Sequence, residues 1–435
     1  MAERLPSISV SESTLKKGVL LLCVLFFWVM GNAQAVKVSF EGNKRTKADF
    51  LLKVMKMDTL NFDEYELEMG IQRLRNLPIL VSVRAEVSAD KNPVEVHLTI
   101  EEGVVIWPLV SFGGVEGNRW FLLGASDFNT GGRAIQTTAF YRNIDGEHNG
   151  FFSIAAPYIK GTSFGGGIEI QRYAAIEPLF FGPEVESVDY RYENFTLGAH
   201  ISYAFDYQHR LISGLSYLQE DYTSLEEQDP LSSFSFPQLA SKEKYLFKLI
   251  HDLNRINFHG FERAGWSFNQ QFQLINDIGA TANPFMMYWM EGRWFRRFAN
   301  LPLNIAVRGR IGFSSNEVNP FAPFVLDSQL NIRGAGNRVE RGTGVAVLNT
   351  ELRFALLETK SIAVQGVAFS DLGNWRKPGG VVNDLLYAEN LEHFVGGGLR
   401  LLWKRSQLAC LRVDYGVSTQ NTQERGLVIG VGQFF

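Results

Sequence analysis

The stretch from Asn331 to Trp375 opens N-I-R-G-A-G-N-R-V-E-R-G-T-G (331–344), runs on as V-A-V-L-N-T-E-L-R-F (345–354) and closes V-A-F-S-D-L-G-N-W (367–375). The first piece is charged and rich in glycine, and has neither strand nor helix period. The second alternates: Leu348, Leu352 and Phe354 fall on one face, Asn349, Glu351 and Arg353 on the other. In the third, Asp371 shares a face with Gln365, Val367 and Phe369. Two neighbouring antiparallel strands would aim Glu351 and Asp371 at one interior, with Arg333 of the preceding loop as their partner.

An Arg-Gly loop, a strand with an inward Glu and a strand ending Phe-x-Asp-x-Gly-x-x-Trp together resemble the outer-membrane protein assembly family, the bacterial surface antigens that include BamA and TamA. The resemblance implies a periplasmic POTRA domain followed by a sixteen-stranded transmembrane barrel with this loop folded into its lumen. The family's arginine falls on Arg333, with Gly334 beside it, and its carboxylate partners fall on Glu351 and Asp371, with Gly373 two residues on. Gly334-Ala335-Gly336 lacks the aromatic that commonly follows the family's Arg-Gly.

Composition sets the outer limits. The 435 residues carry a net charge of −4, and no basic patch interleaves with aromatics, so nucleic acid is not an expected partner. After the N-terminus no apolar run is long enough for a membrane helix. Barrel strands alternate and their hydropathy averages out, so a membrane protein is still compatible with this composition.

Residues 1–35 read as a signal peptide: Lys16 and Lys17, an apolar run from Val19 to Met30, then Ala33-Gln34-Ala35. A short membrane anchor is the competing reading. With Cys23 inside that run, Cys410 is the one cysteine left for the mature chain, and neither a disulfide framework nor a cysteine metal site follows.

Residues 36–103 read as a small β-α-α-β-β unit. A strand at Val36–Phe40 turns at Glu41-Gly42-Asn43. Thr46 is placed to cap a first helix, and a second starts near Asp63. Strands Leu80–Val87 and Val94–Glu101 follow. This order, with F-E-G-N-x-R-T near its start, is similar to a POTRA domain, although Leu77-Pro78-Ile79 departs from the family pattern.

Residues 104–435 read as repeated strands of roughly twenty residues with their turns, enough for about sixteen. Phe195, Leu197, Ala199, Ile201 and Tyr203 alternate with Asn194, Thr196, His200 and Ser202; Leu303, Ile305 and Val307 oppose Asn304, Arg308 and Arg310. Charges and amides pointing inward would be intolerable in a dry sandwich core and suit a wet lumen. The fold class expected is therefore mainly β, a sixteen-stranded antiparallel barrel behind one α/β domain.

No metal-ligand spacing, dinucleotide loop, phosphate loop or nucleophile elbow appears, so neither enzymatic activity nor a cofactor is expected. The first barrel strand holds Pro108, Ser111, Gly113 and Gly114, the last Gly426, Gly430 and Gly432. Such residues pair poorly and mark a lateral seam between the two strands. Phe435 is expected on the outward face of the last strand with Leu427, Ile429 and Val431. A final aromatic there resembles the signal by which barrel proteins are recognised for insertion.

The resemblance implies a protein of the Gram-negative outer membrane that inserts or translocates client proteins at that seam. Its partners would be unfolded outer-membrane or secreted clients, membrane lipids and periplasmic accessory proteins. A dedicated secretion transporter and a passive channel are the alternatives.

Overall fold

The computed structural model describes residues 34–115, 118–144, 146–159, 162–179, 188–206, 208–225, 242–259, 261–278, 284–298, 300–315, 322–326, 330–335, 340–404 and 410–435. The expected signal segment, Cys23 included, lies outside the described residues but for Gln34 and Ala35.

The first unit comprises β1 (Val36–Glu41), α1 (Ala48–Met55), α2 (Glu64–Arg75), β2 (Leu80–Ser88) and β3 (Val94–Glu102). Its sheet order is β1-β3-β2, with β1 parallel and β2 antiparallel to β3. Leu51, Met55, Leu67 and Leu74 from the helices meet Val94, Val96, Leu98 and Ile100 of the central strand in one core. Asp63 caps α2, its carboxylate accepting from the amides of Tyr65 and Glu66.

Thr46 does not cap α1, as its sequence position suggested. The N-cap is Lys47, with no side-chain bond. Thr46 is buried instead at the border with the second unit. Its amide donates to Glu102 at 2.6 Å, and its hydroxyl accepts from the Asn129 amide at 2.9 Å. A threonine before a helix satisfies either role, and the nearer polar partner from outside the unit wins it.

Sixteen antiparallel strands form the second unit. They are β4 (Ile106–Val115), β5 (Asn118–Thr130), β6 (Ile135–Ile144), β7 (Glu147–Ala156), β8 (Phe164–Leu179), β9 (Val188–Ala204), β10 (His209–Ser224), β11 (Lys242–His259), β12 (Glu262–Asp277), β13 (Phe285–Arg297) and β14 (Leu303–Ser314), then β17 (Gly344–Glu358), β18 (Ile362–Arg376), β19 (Glu392–Trp403), β20 (Cys410–Ser418) and β21 (Arg425–Val431). Each pairs with its chain neighbours in this series, and a small ribbon of β15 (Phe324–Leu326) and β16 (Glu340–Gly342) interrupts the chain between β14 and β17.

The wall alternates as a membrane barrel must. Leu197 and Ile201 are 53% and 67% exposed on the outside, while Asn304, Arg308, Asn349 and Arg353 are buried inside. No described helix is long and apolar enough to cross a membrane, and closed or nearly closed sheets cross with strands. The turns on the side of the first unit are short, such as residues 131–134 and 359–361; the longer connections, such as 377–391, lie at the opposite rim. Among the described residues no ladder joins β4 to β21, so this wall has two edges.

Candidate functional site

The loop between β14 and β17 turns into the lumen and delivers Arg333, which is 0% exposed. Its backbone amide donates to Asp371 Oδ2 at 3.0 Å, its Nε to the same oxygen at 2.8 Å and its Nη2 to Oδ1 at 2.8 Å. Its Nη1 donates to Glu351. The fork-on-carboxylate contact with Asp371 is the geometry only an arginine supplies. The structure thus brings Arg333 of the loop onto Glu351 and Asp371, which lie on two adjacent strands of the wall.

The glycines nearby make this approach possible. Gly334 has φ +95 and lies against Gly416 of β20, where a Cβ on Gly334 would stand 2.7 Å from backbone. A Cβ on Gly373 would stand 2.4 Å from Ile332, whose fully buried side chain packs with Leu326, Val345, Val347, Trp375 and Phe394. The loop is therefore seated by an apolar plug as well as by charge.

The ionic cluster is larger than the three residues. Arg353 Nε donates to Glu351 Oε2 at 2.7 Å, Arg400 Nη1 to Asp414 Oδ1 at 2.6 Å, and Arg400 reaches Glu351 at 3.5 Å. With Arg412 at 3.9 Å from Asp414, four guanidiniums (Arg333, Arg353, Arg400, Arg412) thus face three carboxylates (Glu351, Asp371, Asp414), so each carboxylate has a cationic partner out of bulk water. Asn349 donates to Asp371 Oδ1 at 2.8 Å and to the carbonyl of Asn331 at 2.7 Å. Farther along the loop, Arg341 pairs with Glu177 of β8 at 2.5 Å, seven strands round the wall from β17. The loop is pinned to both sides of the lumen.

At the wall's edges, Pro108 lies in β4 opposite Ala125 of β5. Ser111, Gly113 and Gly114 pair with Leu122, Trp120 and Arg119, and the surroundings of their side-chain positions lie outside the described residues. The start of β4 reaches the last strands: the Trp107 ring meets that of Trp403 of β19 at 6.2 Å, edge to face. A cleft of about 400 Å³ opens there, lined by Trp107, Ile362, Leu401, Trp403, Leu411 and Val431.

Residues 131–435 match the Omp85 superfamily domain. The chain belongs to the Omp85 superfamily. Among solved structures it is similar to CdiB from Escherichia coli, with a TM-score of 0.60 at 14% identity, the match covering 91% of this chain and 75% of that one. For CdiB from Acinetobacter baumannii the figures are 0.56, 11%, 92% and 74%. For BamA from Haemophilus ducreyi lacking POTRA domains 1–3 they are 0.49, 14%, 92% and 84%, a score too low to add to the fold assignment. No curated protein sequence matches the chain.

Within this Omp85 barrel, three of the seam glycines have a further local role. Gly426 faces the lumen, where a Cβ would stand 2.9 Å from the Gly334 carbonyl; it leaves room for the loop. A Cβ on Gly430 would stand 2.5 Å from the Arg412 guanidinium. Gly432, at φ +88, turns the chain.

Phe435 is not on the outward face. It is 3% exposed inside the barrel, packed with Ile256, Phe295, Ala306 and Phe434. Simple alternation placed it outside because a period of two was carried through Gly432, where the strand has already ended. Sequence reasoning also passed over Arg400 and Asp414. Their signal was present: both alternate with outward residues, Leu399 and Leu401 in one strand, Val413 and Tyr415 in the other. Among the described residues no group of three or more metal-capable side chains gathers.

Proposed function

We propose that this protein is a non-enzymatic assembly or translocation factor of the Gram-negative outer membrane that templates client strands at the seam between β4 and β21. Residues 36–103 serve in this reading as a single periplasmic POTRA domain, behind a cleaved signal peptide. The observation that carries it is the pair of unjoined edges, with a cleft of about 400 Å³ between the start of β4 and the outer face of the last strands.

The physical need is clear. An unfolded strand entering lipid carries backbone groups whose loss of partners costs several kcal/mol each. An edge with open donors and acceptors supplies those partners as the strand arrives. The polar cluster around Arg333 acts here as a structural latch that keeps the loop in the lumen while the edges work.

Depletion followed by a census of outer-membrane proteins tests the reading. Loss of many barrel proteins at once supports it. Loss of one secreted protein alone points to a dedicated transporter, and steady conductance with an unchanged census points to a channel.

A further inference from the structure

The last strand does not finish in the wall. At Gly432 the backbone enters the left-handed region, and its amide donates to the Cys410 carbonyl at 2.6 Å. Beyond this turn Gln433 reaches Gln365 inside the barrel at 3.3 Å. The Phe435 carbonyl accepts from Arg353 at 3.2 Å and from Arg263 at 3.3 Å. Residues 432–435 thus form a hook from the edge strand into the lumen.

One residue earlier the hook meets the latch arginine, the nearest of three guanidiniums at the Phe434 ring; Arg308 and Arg412 each stand 4.9 Å from its centroid. The Cζ of Arg333 lies 4.1 Å from the centroid of Phe434 and 3.8 Å from that of Phe369. Two ring centroids so close to one carbon cannot share a face of the guanidinium, so the group lies between them. Its edges are taken by Asp371 and Glu351, its faces by the two rings. Phe369 belongs to the wall, but Phe434 belongs to the strand at the seam. Gly334 meanwhile presses on Gly416 and Gly426 of β20 and β21. The loop grips the last strand at two points.

We propose that Arg333 and Phe434 form a clasp that holds the β21 edge, and that the edge is released only when Phe434 leaves the guanidinium face. The latch loop and the seam are then one device: the loop that fills the lumen also sets how freely the last strand moves. The use of that release rests on the seam function proposed above, but the clasp itself is tested without any client.

The experiment is hydrogen exchange on the full chain in detergent micelles, comparing the native protein with Phe434→Ala, Phe434→Leu and Phe434→Tyr. Losing a ring-on-cation contact in a desolvated site should speed local opening by about tenfold, equivalent to about 1.4 kcal/mol. The amides of Arg425–Val431 should exchange about tenfold faster in the Ala and Leu variants, while Tyr, which keeps the ring, restores the native rate. Amides of β10 and β11, across the barrel, should not change. Leu keeps bulk without a π face and covers the case in which Ala fails to fold. Unchanged exchange in β21 overturns the clasp, as does equal acceleration around the whole wall. Failure of both Ala and Leu variants to fold would also overturn it, since a folding element is not a releasable one. If exchange behaves as expected while depletion leaves the outer-membrane census untouched, the clasp stands and the insertion reading falls.

Discussion

Asn349 stands directly opposite Asp371 in the β17–β18 ladder, and its amide donates to the carboxylate that Arg333 also holds. The pair fixes the carboxylate before the loop arrives. Asn349 Oδ1 in turn accepts from Arg308 Nε at 2.9 Å, so the acceptor for Arg333 is braced from the next strand as well.

Arg333→Ala should leave a folded barrel and free the loop. Removing one partner of a buried ion pair costs roughly 3–5 kcal/mol, here charged mostly to the loop's seating because the wall keeps its ladders. Limited trypsin digestion should cut within 331–343 in the variant and not in the native protein, with heat-dependent gel mobility unchanged. Arg333→Lys should behave like Ala, because one ammonium cannot meet both Asp371 oxygens and Glu351. Full protection in the lysine variant would contradict the fork geometry.

Gly334→Ala should be worse than its size suggests. The new Cβ would stand 2.7 Å from the backbone of Gly416, at a residue with φ +95, so neither side can give way cheaply. Overpacking of this kind costs about 1–3 kcal/mol. Gly309→Ala is the control: its Cβ would meet nothing within 4 Å, and the change should stay within about 0.5 kcal/mol. Equal unfolding midpoints for the two variants would show that the close approach of loop and β20 is not maintained.

The junction between the α/β unit and the barrel should be insensitive to acid until its buried bond is removed. Arg45 pairs with Asp127 and Arg133 with Asp49, both exposed, while Asn129–Thr46 is buried. The Arg133 hydrogen bond holds the Asp49 carboxyl below its ordinary value of 3.8. A depressed pKa contributes above the ordinary value and is lost as pH falls through the lowered one. Spin-label distances between the two units should therefore hold at acid pH in the native protein, and broaden there in Asn129→Ala. Broadening in the native protein at neutral pH and high salt would contradict this, since salt screens only the exposed pairs.

Much of the architecture was legible because a membrane barrel writes its two faces into every strand. Leu197 and Ile201 outside, Arg308 and Asn349 inside, follow from alternation alone, and so do Glu351 and Asp371. What alternation cannot carry is the end of a strand. Gly432 could continue β21 or turn it, and only the lumen cluster around Phe295 and Arg353 decides for the turn. The same holds at Thr46, whose hydroxyl is taken by Asn129 from 83 residues away. Gly426 reads in sequence as a weak rung, and that it also leaves space for Gly334 is not visible there. In each case the deciding partner is distant in sequence, and no local period reports it.

The most direct test of seam opening is a reversible tether between the two edges. Val110 of β4 and Ile429 of β21 are both exposed on the outer face, and Cys410, the buried free thiol, is first replaced by Ala. With cysteines at 110 and 429 oxidised to a disulfide, the account predicts a folded, heat-modifiable barrel that no longer supports assembly of other outer-membrane proteins, and recovery on reduction. Normal levels of those proteins with the tether closed would contradict it.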